Sequence, residues 1–146
     1  MTFVLDASAI LRFTDQEPGH NRVRDLLQQA RKEQVELLIS AVNWSEIVAA
    51  LHKRAGSKSL VTAPTTLAAN LAALPISIVP VGQPEAEAAA AFRHNYKVPF
   101  ADAFAGALTL ACAGASARVQ ATLVTADYDF KSVPPGTMKI EFLPVK

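Results

Sequence analysis

The sequence predicts an α/β fold, an α/β/α sandwich with a central, mainly parallel sheet of four to five strands. The first observation is that short apolar segments alternate along the chain with longer segments of helical periodicity. The second is that these short segments are apolar throughout, which is typical of parallel strands buried on both faces. The length of 146 residues, without a repeat or a linker, favours a single domain over residues 1–146.

The chain begins with one predicted strand and two predicted helices. Residues 2–6, TFVLD, combine four β-compatible residues with Asp6 at the end. Residues 7–14 are expected to start a helix, for which Asp6 or Ser8 is available as the N-cap. In residues 21–34 apolar side chains recur at helical spacing with charges between them, which indicates an amphipathic helix.

A second strand and two more helices follow. Residues 35–40, VELLIS, predict the strand, and Ser40 is expected to cap a helix over residues 41–56. Gly56 is the stop signal of this helix. Another helix is predicted over residues 64–74, which lie between two prolines.

The second half of the chain predicts three strands and two helices. Residues 76–81 form the third strand, and residues 84–96 form a helix with proline and two glutamates in its first turn. Residues 99–114 predict a nearly apolar helix. Residues 121–127 and 138–144 predict the last two strands.

Charge and cysteine content limit the classes of function. A net charge of +1 gives no support to nucleic-acid binding through bulk charge, so phosphates would have to be met by a few cations or by a metal. The single cysteine, Cys112, excludes an internal disulfide and favours a reducing cytoplasm. Residues 98–117 carry Asp102 as their only formal charge, but their glycines, proline and many alanines indicate a core helix rather than a membrane span.

Several carboxylates occupy apolar surroundings. Asp6 ends the first strand, and Asp127 follows the fourth strand, with Asp129 two residues further on. Glu46 lies on the helix after the second strand, and Asp102 lies in the first turn of the most apolar helix. Because parallel strands end at the same edge of a sheet, we expect these acids to lie close together.

Each acid also has an ordinary structural explanation. Asp6 would serve as a helix N-cap, Asp102 as a first-turn residue favoured by the helix dipole, Glu46 as a solvated helix residue and Asp127 as a turn residue. Taken together these explanations are weaker, because clustered carboxylates repel one another. A divalent cation such as Mg²⁺ or Mn²⁺ removes the repulsion and prefers such oxygen ligands.

Other catalytic sites find no support in the sequence. The three histidines are scattered without a cysteine or a second histidine at ligand spacing, which argues against zinc. There is no phosphate-binding Gly-rich motif and no evident Ser–His–Asp set. An all-carboxylate magnesium site in a small α/β domain points to phosphate chemistry.

Four segments resemble the PIN-domain family, and most closely the VapC-like toxin ribonucleases of type II toxin–antitoxin pairs. They are VLDASAIL, SEIVAAL, PFADAFAGALTLA and LVTADYDF, in this order along the chain. The resemblance implies an α/β/α PIN-like fold and a Mg²⁺- or Mn²⁺-dependent endoribonuclease. It also implies a homodimer and a cognate antitoxin that inhibits the enzyme. The expected location remains the cytoplasm, outside any membrane, on the grounds of Cys112 and of residues 98–117 given above.

The resemblance also implies roles for individual residues. By position, Asp6, Glu46, Asp102 and Asp127 match the catalytic, metal-binding acids of the family, and Asp129 matches a frequent additional acid. Ser8 and Thr125 match hydroxyl residues that orient these carboxylates. In the expected mechanism, Glu46 binds the metal or accepts a proton from a metal-activated water. That water attacks an RNA phosphodiester and leaves a 5′-phosphate and a 3′-hydroxyl.

The sequence leaves two other classes of function open. One is another metal-dependent phosphodiesterase or DNA nuclease that uses the same acids. The other is a non-catalytic PIN-like binding module. The sequence identifies neither the RNA and its cleavage site nor the antitoxin, and it does not decide between one metal ion and two.

Candidate RNA-binding side chains lie within a few helical turns of the acids. The candidate cations are Arg12, Lys53, Arg54, Arg93 and Lys97. For each of them a solvated helix surface is the ordinary alternative. Trp44 and Tyr128 are candidates for stacking on a base, with a core or interface position as the alternative for Trp44.

Overall fold

The computed structural model describes residues 1–55, 69–70, 72–114 and 120–145, and contains a five-stranded sheet. Every pairing in the sheet is parallel, and the strand order is β3-β2-β1-β4-β5. This confirms the predicted α/β class. The strands are β1 Thr2–Leu5, β2 Glu36–Ser40, β3 Ser77–Val79, β4 Ala121–Thr125 and β5 Lys139–Phe142.

In the part of the chain that the structure describes, five helices with defined bounds connect and cover the strands. They are α1 Ala7–Thr14, α2 His20–Arg31, α3 Ala41–Ala55, α4 Gln83–Tyr96 and α5 Phe100–Gly114, with a short 3₁₀ helix at Tyr128–Ser132. The predicted bounds agree within a few residues. The largest difference is at α2, which ends at Arg31 rather than at residue 34, and Glu33 beyond it has a positive φ of 59°. The helix predicted over residues 64–74 lies mostly outside the described residues.

Two apolar cores lie on the two faces of the sheet. On one face, Phe3 and Leu5 of β1 pack with Ile10 of α1 and other buried residues of α2 and α3. On the other face, Val4 packs with Phe92 of α4 and with α5. Alternate residues of β1 therefore point to opposite helical layers, which gives the expected α/β/α sandwich.

The two outer strands depart from the expected burial, β5 with an exposed Lys139 and β3 more strongly. Ser77 and Ile78 of β3 are exposed, and the relative exposure of Ile78 is 42%. The expectation that every strand is buried on both faces is therefore wrong at this edge. Because β3 is an edge strand of the described sheet, paired with β2, and is three residues long, less of it is covered than of the central strands.

The topology brings the ends of two distant segments together. Strands β1 and β4 are neighbours, with Leu5 opposite Val124, so Asp6 and Asp127 emerge from the same edge. Helix α5 packs against β1, β2 and β4, and its first turn carries Asp102. The carboxyl edge of the sheet is thus the meeting point that the sequence predicted for these acids.

The helices of the described residues include none with the length and apolar character needed to cross a membrane.

Candidate metal centre at the carboxyl edge of the sheet

Asp6 is held in a network of three donors. Its side chain is the N-cap of α1, and its Oδ1 accepts hydrogen bonds from the Ala9 amide at 3.0 Å and from the Ser8 hydroxyl at 2.6 Å. Its Oδ2 accepts a short hydrogen bond from the Thr125 hydroxyl. The capping explanation and the site explanation of Asp6 are therefore compatible, because one oxygen retains a free lone pair.

The two hydroxyl residues also fix the backbone of the last motif. The Ala126 amide donates to Ser8 Oγ at 2.8 Å, and the Asp127 amide donates to Thr125 Oγ1 at 2.9 Å. Each hydroxyl thus joins the end of β1 to the end of β4. This places Ser8 and Thr125 where the sequence predicted supporting residues.

Burial dominates the electrostatics of Asp6, whose relative exposure is 2%. Desolvation raises its pKa from 3.8 to about 6, although the hydrogen bonds from Ser8, Thr125 and Ala9 act in the opposite direction. The charge of Asp127 raises the pKa further. Even with these three hydrogen bonds, the ionised form of Asp6 is less stable here than it is in water.

Asp102, Asp127 and Asp129 form the acid triad of the site. Each offers a carboxylate oxygen, and these oxygens lie within 4.8 Å of one another. Asp102 is buried, Asp127 is half-buried and Asp129 is exposed. Asp127 also caps the 3₁₀ helix by accepting from the Asp129 amide at 2.9 Å, which fixes the spacing of these two acids.

Asp102 has the most strongly shifted pKa of the group. Desolvation is the largest cause, followed by a hydrogen bond to Asp127 and then by the charges of Asp127, Asp6 and Glu46, and together they raise its pKa from 3.8 to about 8. The charge of Asp127 also raises the pKa of Asp129 above its ordinary value. At neutral pH the triad therefore favours a bound proton or a bound cation.

Glu46 approaches this group from α3 but is exposed. Its Oε1 accepts a hydrogen bond at 3.0 Å from Nδ2 of Asn43, one turn earlier on the same helix. Neither Glu46 nor Asp6 is part of the acid triad, but both are near enough for their charges to raise the pKa of Asp102. The structure thus brings all five predicted acids to this edge of the sheet. Three of them, Asp102, Asp127 and Asp129, each offer an oxygen within 4.8 Å of the other two.

The donor set fits a hard divalent cation. Oδ2 of Asp102 is buried and has no hydrogen-bond partner among the described residues. An unpaired buried carboxylate oxygen is costly, and a cation would remove that cost. The triad offers oxygen ligands only, with no histidine or cysteine, which is the chemistry that Mg²⁺ and Mn²⁺ prefer.

Two of the predicted RNA-binding cations are engaged in contacts within the protein. One Arg12 nitrogen donates to the backbone carbonyls of Pro18 at 3.1 Å and of Pro144 at 3.2 Å. Arg54 forms an ion pair with Asp15 at 2.8 Å. These contacts give both arginines a part in holding surface segments together.

The other three cations are exposed. Lys53 lies in the last turn of α3, and Lys97 ends α4 in the left-handed conformation. The Arg93 guanidinium lies 5.9 Å from the ring centre of Phe100, at the start of the helix that carries Asp102. Of the predicted cations, these three are the better placed to meet a phosphate chain.

The two aromatic candidates differ in their surroundings. Trp44 is partly buried and packs against the core between the sheet and α1–α3. The Tyr128 ring is partly exposed and stacks on Phe142, and its hydroxyl donates to the Leu143 carbonyl at 2.7 Å. The core alternative therefore describes Trp44, whereas the Tyr128 ring offers a partly exposed aromatic surface between Asp127 and Asp129 in the sequence.

Asn43 is a residue of the site that the sequence reasoning did not identify. It is fully buried and contacts both Glu46 and the backbone of α5. The available signal was its position three residues before Glu46, which puts both side chains on one face of α3. An amide one turn before an acid, flanked by apolar residues at the start of α3, would have been reason to include it.

Comparison with protein families gives one match that spans most of the chain. A model of the PIN domain matches residues 3–134. A search of curated proteins finds no match.

Solved structures that share the fold at low sequence identity include the following three. VapBC2 from Rickettsia felis, bound to a DNA fragment from its promoter, has a TM-score of 0.68 at 17% identity, covering 99% of this chain and 100% of that chain. A toxin–antitoxin complex from Klebsiella pneumoniae has a TM-score of 0.57 at 18% identity, covering 94% and 98%. PAE2754 from Pyrobaculum aerophilum has a TM-score of 0.59 at 19% identity, covering 96% and 83%.

Proposed function

The chain belongs to the PIN domain family, and we propose that it is a metal-dependent endoribonuclease, the toxin of a type II toxin–antitoxin pair. The observation that carries the proposal is the acid triad, in which a buried Asp102 oxygen has no partner among the described residues. Such an arrangement stores electrostatic repulsion that a cation relieves. Structural acids are normally paired with donors, as Asp6 is.

Asp102, Asp127 and Asp129 would hold Mg²⁺ or Mn²⁺, with Asp6 and Glu46 contributing directly or through water. A divalent ion bound there supplies positive charge to phosphate oxygens and lowers the pKa of a water molecule. The chain's own residues orient the reactants. Ser8 and Thr125 keep Asp6 and the Asp127 backbone fixed, so the acids need not reorganise when substrate binds.

Glu46 is the proposed proton acceptor. It is exposed, and of its two oxygens Oε1 receives the hydrogen bond from Asn43. Oε2 can therefore take a proton from the attacking water. In-line attack on the phosphodiester would form the new P–O bond and break the bond from phosphorus to the 3′ oxygen, which takes a proton from solvent water, and this leaves a 5′-phosphate and a 3′-hydroxyl.

The proposed substrate is RNA, positioned by local cations rather than by bulk charge. Lys53, Arg93 and Lys97 are exposed and would meet the phosphates. Tyr128 offers its partly exposed ring for contact with a base. The net charge of +1 makes such local contacts necessary.

We also propose the assembly that goes with this activity. Residues 1–146 would act as one domain, form a homodimer in the cytoplasm and bind an antitoxin that blocks the site. Support for the antitoxin comes from the fold shared with the Klebsiella toxin–antitoxin complex and with VapBC2. Size measurement of the purified chain with light scattering tests the dimer directly.

The test of the activity is cleavage of the host's total RNA by antitoxin-free protein in Mg²⁺ or Mn²⁺. We expect discrete fragments with 5′-phosphate ends, lost in EDTA and in Asp102→Asn. Asp25→Asn is the matched control, because Asp25 is an exposed acid paired with Arg24 on α2; it should cleave like the wild type.

The outcomes separate the alternatives. Fragments ending in a 2′,3′-cyclic phosphate would contradict the proposed water attack, because the ribose hydroxyl would then be the nucleophile. Cleavage of DNA or of a small phosphodiester, with RNA left intact, would indicate another metal-dependent phosphodiesterase. A folded protein that cleaves none of these substrates in either metal would indicate a binding module.

A further inference from the structure

We propose that Asn43 is a positioning residue that ties Glu46 to the first turn of α5 and so sets the geometry of the metal centre. The inference rests on the proposed function, because it assigns a role in the same site. Asn43 is fully buried, although asparagine is a residue that usually lies at the surface. Its amide is therefore retained in the interior for the contacts that it makes.

The contacts of Asn43 join two helices that carry different acids. Nδ2 donates to Oε1 of Glu46 at 3.0 Å and to the carbonyl oxygen of Ala101 at 3.1 Å. Ala101 immediately precedes Asp102. One NH₂ group thus holds a Glu46 oxygen in place relative to the first turn of α5. That turn carries Asp102, the acid of the site with the most strongly raised pKa.

The geometry requires the amide of asparagine. Two acceptors, a carboxylate and a helix carbonyl, converge on one nitrogen, and an NH₂ group has two donors to offer. Serine or threonine would supply one donor on a shorter side chain, and aspartate would repel Glu46. The match between two acceptors and two donors is a specific reason for this residue at this position.

Exposure of Glu46 makes the contact consequential. A solvent-exposed glutamate on a helix populates several rotamers, and a hydrogen bond from a fixed buried donor selects one of them. Holding Glu46 in one rotamer matters because a small displacement of its carboxylate would make it a poorer proton acceptor or metal contact. Asn43 would therefore act through Glu46 and α5, without touching the substrate.

Stability alone does not explain the residue. Asn43 Oδ1 is buried and has no hydrogen-bond partner among the described residues. An apolar side chain of similar size would avoid this unpaired oxygen, so the amide is poorly chosen for packing α3 against α5. A buried asparagine with an unpaired oxygen therefore fits a role in the site better than a role in the core.

The test compares Asn43→Ala with two matched variants. Ser45→Ala removes a neighbouring side chain whose hydroxyl donates to the Val42 carbonyl within the same helical turn. Thr109→Ala removes a fully buried hydroxyl that donates to Ala105 on α5, away from the first turn. For each variant, we would measure Mn²⁺ affinity by electron paramagnetic resonance, thermal unfolding, and kcat and KM on RNA.

We expect Asn43→Ala to weaken Mn²⁺ binding and lower kcat by about 10- to 100-fold, as is usual for residues that orient metal ligands, with little change in KM. Ser45→Ala should match the wild type, and Thr109→Ala should lose thermal stability but keep its Mn²⁺ affinity. On a Glu46→Ala background, Asn43→Ala should add much less, because its partner is already gone.

Wild-type Mn²⁺ affinity in folded Asn43→Ala would overturn the proposal, and so would an equal loss of affinity in Thr109→Ala. If Asn43→Ala does not fold, Asn43→Ser, with one donor, should show an intermediate loss of affinity, and wild-type affinity there would overturn the proposal. A wild type that binds Mn²⁺ but cleaves no RNA would refute the proposed function, while the Mn²⁺ affinities would still decide the role of Asn43.

Discussion

Asp6 at the end of β1 and Asp102 at the start of α5 are both buried acids, and their surroundings are opposite. Asp6 accepts hydrogen bonds from Ser8, Ala9 and Thr125, whereas Asp102 faces the carboxylate of Asp127 and keeps one oxygen without a partner among the described residues. Burial raises the pKa of Asp6 to about 6, and burial together with Asp127 raises that of Asp102 to about 8.

The difference indicates that the two acids have different roles in the site: Asp6 contributes to stability, and Asp102 contributes to metal binding. The Asp6 region is complete in the absence of a ligand, because its donors offset much of the cost of burial. The Asp102 region is incomplete, because its neighbours are acids and no donor among the described residues reaches Asp102 Oδ2. Loss of a donor near Asp6 should therefore destabilise the protein, whereas neutralising Asp102 should stabilise the metal-free protein and remove its activity.

The largest expected effect is at Asp102. Asp102→Asn should lower RNA cleavage by at least about 100-fold, since a direct ligand should matter more than the residues that orient it. In EDTA at about pH 8 the same variant should melt at a higher temperature than the wild type, because repulsion with Asp127 is removed. An unchanged cleavage rate, or a lower melting temperature in EDTA, would contradict this assignment.

Thr125→Val should have the opposite effect on stability. It removes the donor to Asp6 Oδ2 and the acceptor for the Asp127 amide at a fully buried position. We expect a loss of about 1–3 kcal/mol in the free energy of unfolding, measured with denaturant. The control is Thr122→Val, a half-buried threonine on the same strand. Equal effects of the two variants would show that the Asp6 network adds no stability.

The pH dependence of stability sharpens the same comparison. Above about pH 4 both acids are ionised in the unfolded chain, whereas the folded, metal-free protein retains protons on Asp6 up to about pH 6 and on Asp102 up to about pH 8. The folded state thus binds more protons, and stability should fall as pH rises across these ranges. Thermal unfolding in EDTA should show this slope, and Asp102→Asn should flatten its upper part. A wild type whose stability rises from about pH 6 to pH 8 would refute it.

Ser8→Ala should have the smallest effect. Asp6 Oδ1 retains the Ala9 amide when the Ser8 hydroxyl is removed, so the carboxylate keeps two of its three donors. The Ala126 amide loses its acceptor, and a loss of about 1 kcal/mol is expected from denaturant unfolding. Ser45→Ala, an exposed serine, is the reference. A loss larger than that of Thr125→Val would reverse the order of importance assigned to the two hydroxyls.

Much of the fold follows from local sequence. Continuous apolar residues in β1, β2 and β4 predict buried parallel strands, and the nearly apolar α5 predicts that Asp102 is buried. The exposure of Ile78 in β3 cannot be predicted in this way, because the local sequence pattern of an apolar edge strand is the same as that of a central strand. Whether a strand lies at the edge depends on the order of the strands in the sheet, and the sequence of a single strand does not reveal that order.

The site is predictable in its acids and not in its supporting contacts. Strand ends and helix starts bring Asp6, Asp102 and Asp127 to one edge of any parallel sheet with this connectivity. The bond from Asn43 to Ala101 joins residues that are 58 positions apart, and the bond from Arg12 to Pro144 spans 132 positions. Such contacts depend on how the helices pack, so periodicity and spacing do not reveal them.

Calorimetric titration of the protein with Mn²⁺ at about pH 7, in buffers of different ionisation enthalpy, tests the role of the acid triad most directly. Because the pKa of Asp102 is about 8, binding should release close to one proton per ion, and Asp102→Asn should bind weakly without that release. Failure of the folded protein to bind Mn²⁺ at millimolar concentration, or wild-type binding by Asp102→Asn, would contradict a metal centre at this edge of the sheet.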